Sequence, residues 1–236
     1  MKIENILKEF VKESVSNLNL KSIVQFGSST YSKNFDDIDL VFVFNDDVIK
    51  TTDILKSREL IKKFEKKYKE IVFDFGSIGT RERKARYSIT VVLRNFQDLN
   101  IRYNPHDTFF LKNLRLDKNL KVLYGNNPFK NLNIKLINKH LFEMLSVDLK
   151  NTLRRNLDDE IDKEFLYRLF KTCLRIMLIN YGFFEKDKLL VEFENKFGNK
   201  IKLPKNSEDI VNNRIKDEDF KDILIFAENC LKYLIK

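Results

Sequence analysis

The chain has 236 residues, of which 43% are hydrophobic, and a formal net charge of +9. Its length allows one domain or two small ones, and its apolar content excludes a disordered chain. No stretch reaches the roughly 18–20 uninterrupted apolar residues that a transmembrane helix needs, so we expect no membrane partner. The basic charge suits a phosphate-bearing or acidic partner, and equally a solvated lysine surface.

The first half of the chain alternates between the patterns of helices and strands. Apolar spacing predicts helices at 3–17, 52–68 and 105–113, and strands at 22–26, 37–44, 71–78, 88–93, 99–103 and 120–124. A basic loop, residues 80–86, separates the third strand from the fourth. The turn Gly125-Asn126-Asn127-Pro128 is the best candidate for a domain boundary, because glycine and proline interrupt helices and strands alike.

The second half has a different character, since no strand pattern recurs after residue 133. Helical spacing predicts helices at 134–156, 162–181, 186–197 and 217–235. We therefore predict an α+β fold, in which a small mixed-sheet domain at 1–128 is followed by an all-α domain at 129–236. Cys173 and Cys230 fall at apolar helix positions, which predicts buried free thiols and a reducing, cytoplasmic location.

Two carboxylates, Asp37 and Asp39, lie at the start of one of the most hydrophobic runs of the chain. Side chains alternate along a strand, so both aspartates share one face while Ile38 points to the other. Like charges on a half-buried face repel each other, and an ionised carboxylate is costly to desolvate unless it is paired or binds a cation. The pair therefore predicts a site for a divalent metal ion.

A glycine and two hydroxyl residues follow the preceding strand, as Gly27-Ser28-Ser29. Glycine lets backbone N–H groups approach a phosphate closely. A phosphate-binding loop joined to a metal-binding strand predicts chemistry on a nucleoside triphosphate. We expect Gly27, Ser28 and Ser29 to bind the nucleotide.

These two segments together resemble the motif of the nucleotidyltransferase superfamily, which includes DNA polymerase beta and the antibiotic adenylyltransferases. The matching residues are Phe26-Gly27-Ser28 and Asp37-Ile38-Asp39-Leu40, and the resemblance covers about half of the chain. It implies a polymerase beta-like fold, a phosphate contact from the Gly-Ser pair, and metal ligation by the two aspartates. It also implies two Mg²⁺ ions, ATP as a substrate, and attack of a hydroxyl on the α-phosphate with release of pyrophosphate.

The resemblance calls for a third carboxylate on a neighbouring strand, as a metal ligand and as the base for the attacking hydroxyl. Asp74 lies in an otherwise uncharged hydrophobic strand, and we favour it for both roles. Asp98 is the alternative, and a degenerate site without a third carboxylate is another. Without such a role, Asp74 would pair with Arg81 or Arg83 at the end of a strand.

Basic residues of the second half form two further candidates. The segment 180–187 is similar to a part of the helical domain of aminoglycoside adenylyltransferases, which implies that Lys186 contacts the triphosphate. Arg168, Lys171 and Arg175 recur at i, i+3 and i+7 and therefore share one helix face. This face either meets an anionic group or is solvated.

We therefore predict a Mg²⁺-dependent nucleotidyltransferase that adds AMP from ATP to a hydroxyl of a small molecule. RNA or a protein side chain is the subsidiary choice of acceptor. The rival hypothesis is a nucleotidyltransferase-like interaction module without catalysis that acts through its helical half. Metal-dependent consumption of ATP separates the two.

Overall fold

The computed structural model describes residues 3–33, 35, 37–75, 87–95, 105–156, 161–182 and 184–236. The predicted strand at 99–103, the basic loop at 80–86 and Asp98 lie outside these residues. Within the described ranges, no helix is both long and apolar enough to cross a membrane.

The chain divides into two compact units. The first comprises Met1–Arg102 and Asp117–Asn133, and the second comprises Tyr103–Leu116 and Ile134–Lys236. Each unit has its own hydrophobic core.

The first unit is a sheet with two described helices. Its elements are α1 (Ile3–Asn17), β1 (Leu20–Phe26), β2 (Asp37–Phe44), α2 (Thr51–Lys67), β3 (Ile71–Phe75), β4 (Tyr87–Arg94) and β5 (Lys121–Gly125). The strands are ordered β3-β4-β2-β1-β5. Strand β4 is parallel to β2 and β3, whereas β1 is antiparallel to β2 and β5. The predicted mixed sheet and the α+β class are therefore confirmed.

Phenylalanines fill the core between this sheet and its helices. The rings of Phe10 in α1 and Phe64 in α2 lie 5.0 Å apart, and Phe73 of β3 lies 5.1 Å from the first and 5.7 Å from the second. Ile38 and Leu40 of β2 belong to the same core and are buried. Because strand side chains alternate, Asp37 and Asp39 project from the opposite face of the sheet.

The second unit is helical throughout the part that the structure describes. Its helices are α3 (Pro105–Leu116), α4 (Asn138–Arg155), α5 (Lys163–Leu178), α6 (Leu189–Phe197), α7 (Ser207–Val211) and α8 (Asp219–Ile235). Helix α5 is central, and its Phe170 ring lies 5.3 Å from the ring of Phe226 in α8. Cys173 and Cys230 are free and buried, as predicted.

The path of the chain differs from a single division near residue 128. Helix α3 belongs to the second unit, and the chain then returns to the first unit to form β5. Leu111 and Leu114 of α3 are buried, and Lys112 Nζ lies 2.6 Å from Asn180 Oδ1 just beyond α5. Helical periodicity predicts that such a segment has an apolar side, but it does not say which core that side joins.

Candidate active site

The two carboxylates of β2 lie where the alternation of the strand requires. Asp37 is exposed and Asp39 is half-buried, while Ile38 and Leu40 between and after them are buried. Both aspartates therefore share the sheet face opposite the one that packs on α1 and α2. This placement puts two anionic oxygen donors side by side at the start of β2.

Gly27 meets Asp39 directly. It follows β1, whose last residue Phe26 pairs with Asp39 across the sheet, and it adopts a positive φ of 80°. A Cβ atom built on Gly27 would lie 2.6 Å from Asp39 Oδ2, which is closer than real Cβ atoms come. The backbone of the glycine loop and the carboxylate are thus in contact, and a side chain at position 27 would separate them.

The loop after Gly27 is held by a compact set of hydrogen bonds. Residues Ser28–Thr30 form one turn of 3₁₀ helix, and the Thr30 hydroxyl donates to the Gly27 carbonyl at 2.7 Å. The amide of Ser32 donates to the Ser28 carbonyl at 2.8 Å. The loop is therefore braced by hydrogen bonds among its own residues.

The two serines of this loop have different surroundings. Ser29 is buried, and its hydroxyl accepts a hydrogen bond from Gln25 Nε2 at 3.0 Å. Ser28 is half-buried and precedes it in the turn. Ser29 therefore supports the loop from inside, and the assignment of its side chain to the nucleotide stays a prediction.

Asp74 lies on the same sheet face as the two aspartates of β2, but not beside them. Strand β4 runs between β2 and β3, so that Thr90 pairs with Asp39 on one side and with Asp74 on the other. Two strand spacings separate the backbones of these aspartates by about 10 Å. Among the described residues, no three His, Cys, Asp or Glu side chains are grouped closely enough to hold one metal ion.

Gly27 and Asp39 are thus in contact, Asp37 lies two residues earlier on the same sheet face, and Asp74 stands two strands away. Its assignment as metal ligand and base stays a prediction, and its rival Asp98 lies outside the described residues.

Sequence reasoning missed two hydroxyl residues that adjoin the carboxylates. Ser88 pairs with Asp37, and Thr90 pairs with Asp39, both from the neighbouring strand β4. The alternation of polar and apolar residues from Tyr87 to Val91 was the available signal, because it places both hydroxyls on one face. The local pattern does not show that β4 adjoins β2.

The residues at this point fit a Mg²⁺ ion. Mg²⁺ prefers oxygen ligands and is commonly held by one or two carboxylates together with phosphate oxygens and water. Asp37 and Asp39 supply the carboxylates, and the missing side chain of Gly27 leaves a cradle against Asp39 Oδ2 that a Cβ atom would fill. The donor set and the open approach both suit a metal–phosphate complex.

Lys186 lies in the second unit, at the start of a single 3₁₀ turn, Lys186–Lys188. Its Nζ is 5.9 Å from the centroid of the Tyr167 ring, and Lys171 Nζ is 4.5 Å from the same centroid. The predicted triphosphate lysine therefore joins one of the basic residues of α5 around a shared aromatic ring.

Comparison with known proteins bears on the fold. No protein-family model matches the chain, and no curated protein matches it in sequence. Among solved structures, it is similar to the crystal structure of spectinomycin adenyltransferase AAD(9) from Enterococcus faecialis, determined with ATP and spectinomycin. The two chains are 16% identical, 98% of each is covered, and the TM-score is 0.55. At this identity the similarity establishes the fold, so the predicted nucleotidyltransferase fold is confirmed.

Proposed function

We propose that this protein is a metal-dependent nucleotidyltransferase that transfers AMP from ATP to a hydroxyl of a small molecule and releases pyrophosphate. The contact between Gly27 and Asp39 carries the proposal. It joins a phosphate-binding loop to a pair of carboxylates at one point of the sheet. A triphosphate and a divalent ion must meet at such a point for this chemistry.

The chain's residues take the following roles in the proposed reaction. The backbone of the loop at Gly27 and the hydroxyl of Ser28 contact the triphosphate, and the assignment of Lys186 to the triphosphate stays a prediction from the sequence. Mg²⁺ bound by Asp37 and Asp39 would offset the charge that develops on the phosphate oxygens.

The covalent step exchanges a phosphoanhydride bond of ATP for a phosphoester bond to the acceptor. The acceptor oxygen forms a bond to the α-phosphorus, the bond from that phosphorus to the β-phosphate oxygen breaks, and pyrophosphate leaves with the electron pair. Asp74 receives the proton of the acceptor hydroxyl in this proposal. Its place on the same sheet face as Asp39, with Thr90 between them, supports this role.

The structural neighbour supports a small-molecule acceptor, because its crystal structure contains ATP and spectinomycin. The two free cysteines suit a reducing compartment, and we place the reaction in the cytoplasm.

A second candidate is a nucleotidyltransferase-like interaction module without catalysis. One observation favours it: the positions of β4 that adjoin Asp37 and Asp39 carry the hydroxyls of Ser88 and Thr90 instead of a carboxylate. Such a module would bind nucleotide at the Gly27–Asp39 contact without consuming it.

Release of pyrophosphate from ATP tests the proposal. The full chain is incubated with ATP and Mg²⁺, with EDTA as the metal-free control, and with polyhydroxylated small molecules or an RNA oligonucleotide as acceptors. The proposal predicts release that requires both the metal and a small-molecule acceptor. Metal-dependent ATP binding without release under any of these conditions would favour the interaction module, and release only with RNA would change the class of acceptor.

A further inference from the structure

The second unit contains a cavity of about 320 Å³ between α4 and α5. This volume is at the lower end of the range of small-molecule sites, which is roughly 300–1,000 Å³. The polar residues of α4 that line it are Asp148, Asn151 and Thr152, and the basic residues of α5 that line it are Arg168, Lys171 and Arg175. All of its described lining residues belong to the second unit.

One wall of the cavity is cationic. Arg168, Lys171 and Arg175 form the helix face that the sequence predicts, and all three line the cavity. Arg168 is oriented by Glu164, whose carboxylate accepts from Nε at 2.9 Å. A guanidinium group has five N–H donors, so this bond leaves donors for an anionic ligand. Lys186 extends the positive region, because it lies over the same Tyr167 ring as Lys171.

The opposite wall offers hydrogen-bonding groups and one carboxylate. Burial raises the pKa of Asp148, and His106 of α3 and then Thr172 of α5 oppose that rise. Thr152 donates its hydroxyl hydrogen to the Asp148 carbonyl at 2.9 Å, which leaves its oxygen as an acceptor. Hydrogen bonds to such a partly buried carboxylate are stronger than hydrogen bonds in water.

The charged side chains around the cavity indicate how many anionic groups its ligand carries. Three basic side chains and the Asp148 carboxylate line the cavity, and a second carboxylate, that of Glu164, pairs with Arg168. The excess of one positive charge among these described groups suits a ligand with a single anionic group. A triphosphate would bring its several negative charges close to Asp148 and meet repulsion there. The α4 wall favours hydroxyl groups, which donate to Asp148 and accept from the amide of Asn151.

We propose that the cavity between α4 and α5 binds a small hydroxylated molecule with one anionic group, a carboxylate or a phosphate monoester. The anionic group lies against Arg168, Lys171 and Arg175, and the hydroxyls lie against Asp148 and Asn151. This binding does not depend on the proposed transfer reaction. The same chemistry also defines the compounds that deserve first trial as acceptors.

Calorimetric titration of the full chain at low ionic strength, in EDTA and without nucleotide, tests the proposal. Gluconate presents the carboxylate source, glucose 6-phosphate the phosphate source, glucose the hydroxyls alone, and acetate the anion alone. We expect gluconate or glucose 6-phosphate to bind at least about tenfold more tightly than glucose and acetate, because one charge-assisted contact accounts for about that factor. Whichever of the two binds more tightly identifies the anionic group.

Variants assign the binding to the cavity. Arg175→Gln and Lys171→Gln should each weaken binding about tenfold. Arg154→Gln, an equally exposed arginine that does not line the cavity, should leave it unchanged. Asp39→Asn should also leave it unchanged, which separates this proposal from the nucleotide site of the first unit.

Several results would overturn the proposal. They are the failure of both hydroxylated anions to bind, equal binding of glucose, and unchanged affinity in Arg175→Gln and Lys171→Gln. Metal-free ATP that binds more tightly than both hydroxylated anions, and is weakened by the same two substitutions, would show a nucleotide cavity instead.

Discussion

The α-carbon of Gly27 lies so close to the carboxylate of Asp39 that a Cβ atom there would be 2.6 Å from Oδ2. The positive φ of 80° at Gly27 makes a side chain unfavourable for a second, independent reason. The glycine is therefore needed both for the backbone conformation and for the approach of the loop to the carboxylate.

Two measurements on Gly27→Ala report these effects separately: thermal stability reports the backbone conformation, and ATP binding reports the approach to the carboxylate. We expect Gly27→Ala to destabilise the fold by about 1–3 kcal/mol from the backbone conformation alone, and to abolish Mg²⁺-dependent ATP binding by displacing Asp39. Gly182→Ala is the matched control, since Gly182 also has a positive φ but its Cβ would come no closer than 3.8 Å to a side chain. Thermal unfolding and ATP titration of both variants measure the difference. Full ATP affinity in Gly27→Ala would place the nucleotide elsewhere.

The two serines of the loop should respond differently to alanine. Ser28→Ala should weaken ATP binding by about 1 kcal/mol if one neutral hydrogen bond to phosphate is lost, with little change in stability. Ser29→Ala should chiefly lower stability, because it removes the shorter of the two hydrogen bonds that the buried Gln25 amide donates to Ser29. Chemical denaturation and calorimetry with Mg²⁺ and ATP distinguish the two. A reversed pattern would mean that Ser29 holds the nucleotide and Ser28 the loop.

Substitution of Asp74 should lower the rate of pyrophosphate release more than it weakens ATP binding. If it receives the proton of the acceptor hydroxyl, Asp74→Asn lowers the rate of pyrophosphate release by a hundredfold or more, within the usual range for a general base of about 10²–10⁴. ATP affinity should change far less. Asp98→Asn, assayed in parallel, should remain active. An inactive Asp98→Asn beside an active Asp74→Asn reverses the assignment.

The contact between α1 and α2 should make the free energy of unfolding depend on pH. Hydrogen bonds from Lys67 and then from Tyr68 lower the pKa of Glu9 in the folded protein. A lowered carboxyl pKa adds stability above the pKa of the unfolded chain, and this stability is lost as the pH falls through the folded value. We expect Glu9→Gln to lower the thermal midpoint slightly at neutral pH and to match the wild type in acid. Glu4→Gln is the control, and a difference between Glu9→Gln and wild type that persists in acid would contradict this origin.

The sequence predicted local structure well where one pattern dominated. Strand β2 begins and ends at the predicted residues, Asp37 and Phe44, because a run of apolar residues leaves little choice of conformation. The short helix Ser207–Val211 was missed, since five residues are too few for helical periodicity to stand out. Helix α2 spans Thr51–Lys67, one residue earlier at each end than the predicted 52–68.

The sequence did not predict which strands and helices lie next to one another. The position of β4 between β2 and β3 decides that Thr90, and not Asp74, adjoins Asp39. Strand order depends on how whole elements pack together, and no spacing of residues within one strand records it. For the cavity between α4 and α5, the sequence predicted only the basic face of α5. The residues of the other wall come from a different helix, and no local pattern shows that the two helices adjoin.

The most direct test of the account is the binding of ATP, with and without Mg²⁺, to the wild type and to Asp39→Asn. Asp47→Asn is the matched control, since it makes the same change at an exposed carboxylate just beyond the same strand. The account predicts that the wild type and Asp47→Asn bind ATP only with the metal, and that Asp39→Asn folds normally but loses this binding. Metal-dependent ATP binding of wild-type strength in Asp39→Asn would contradict the assignment of the Gly27–Asp39 contact as the nucleotide site.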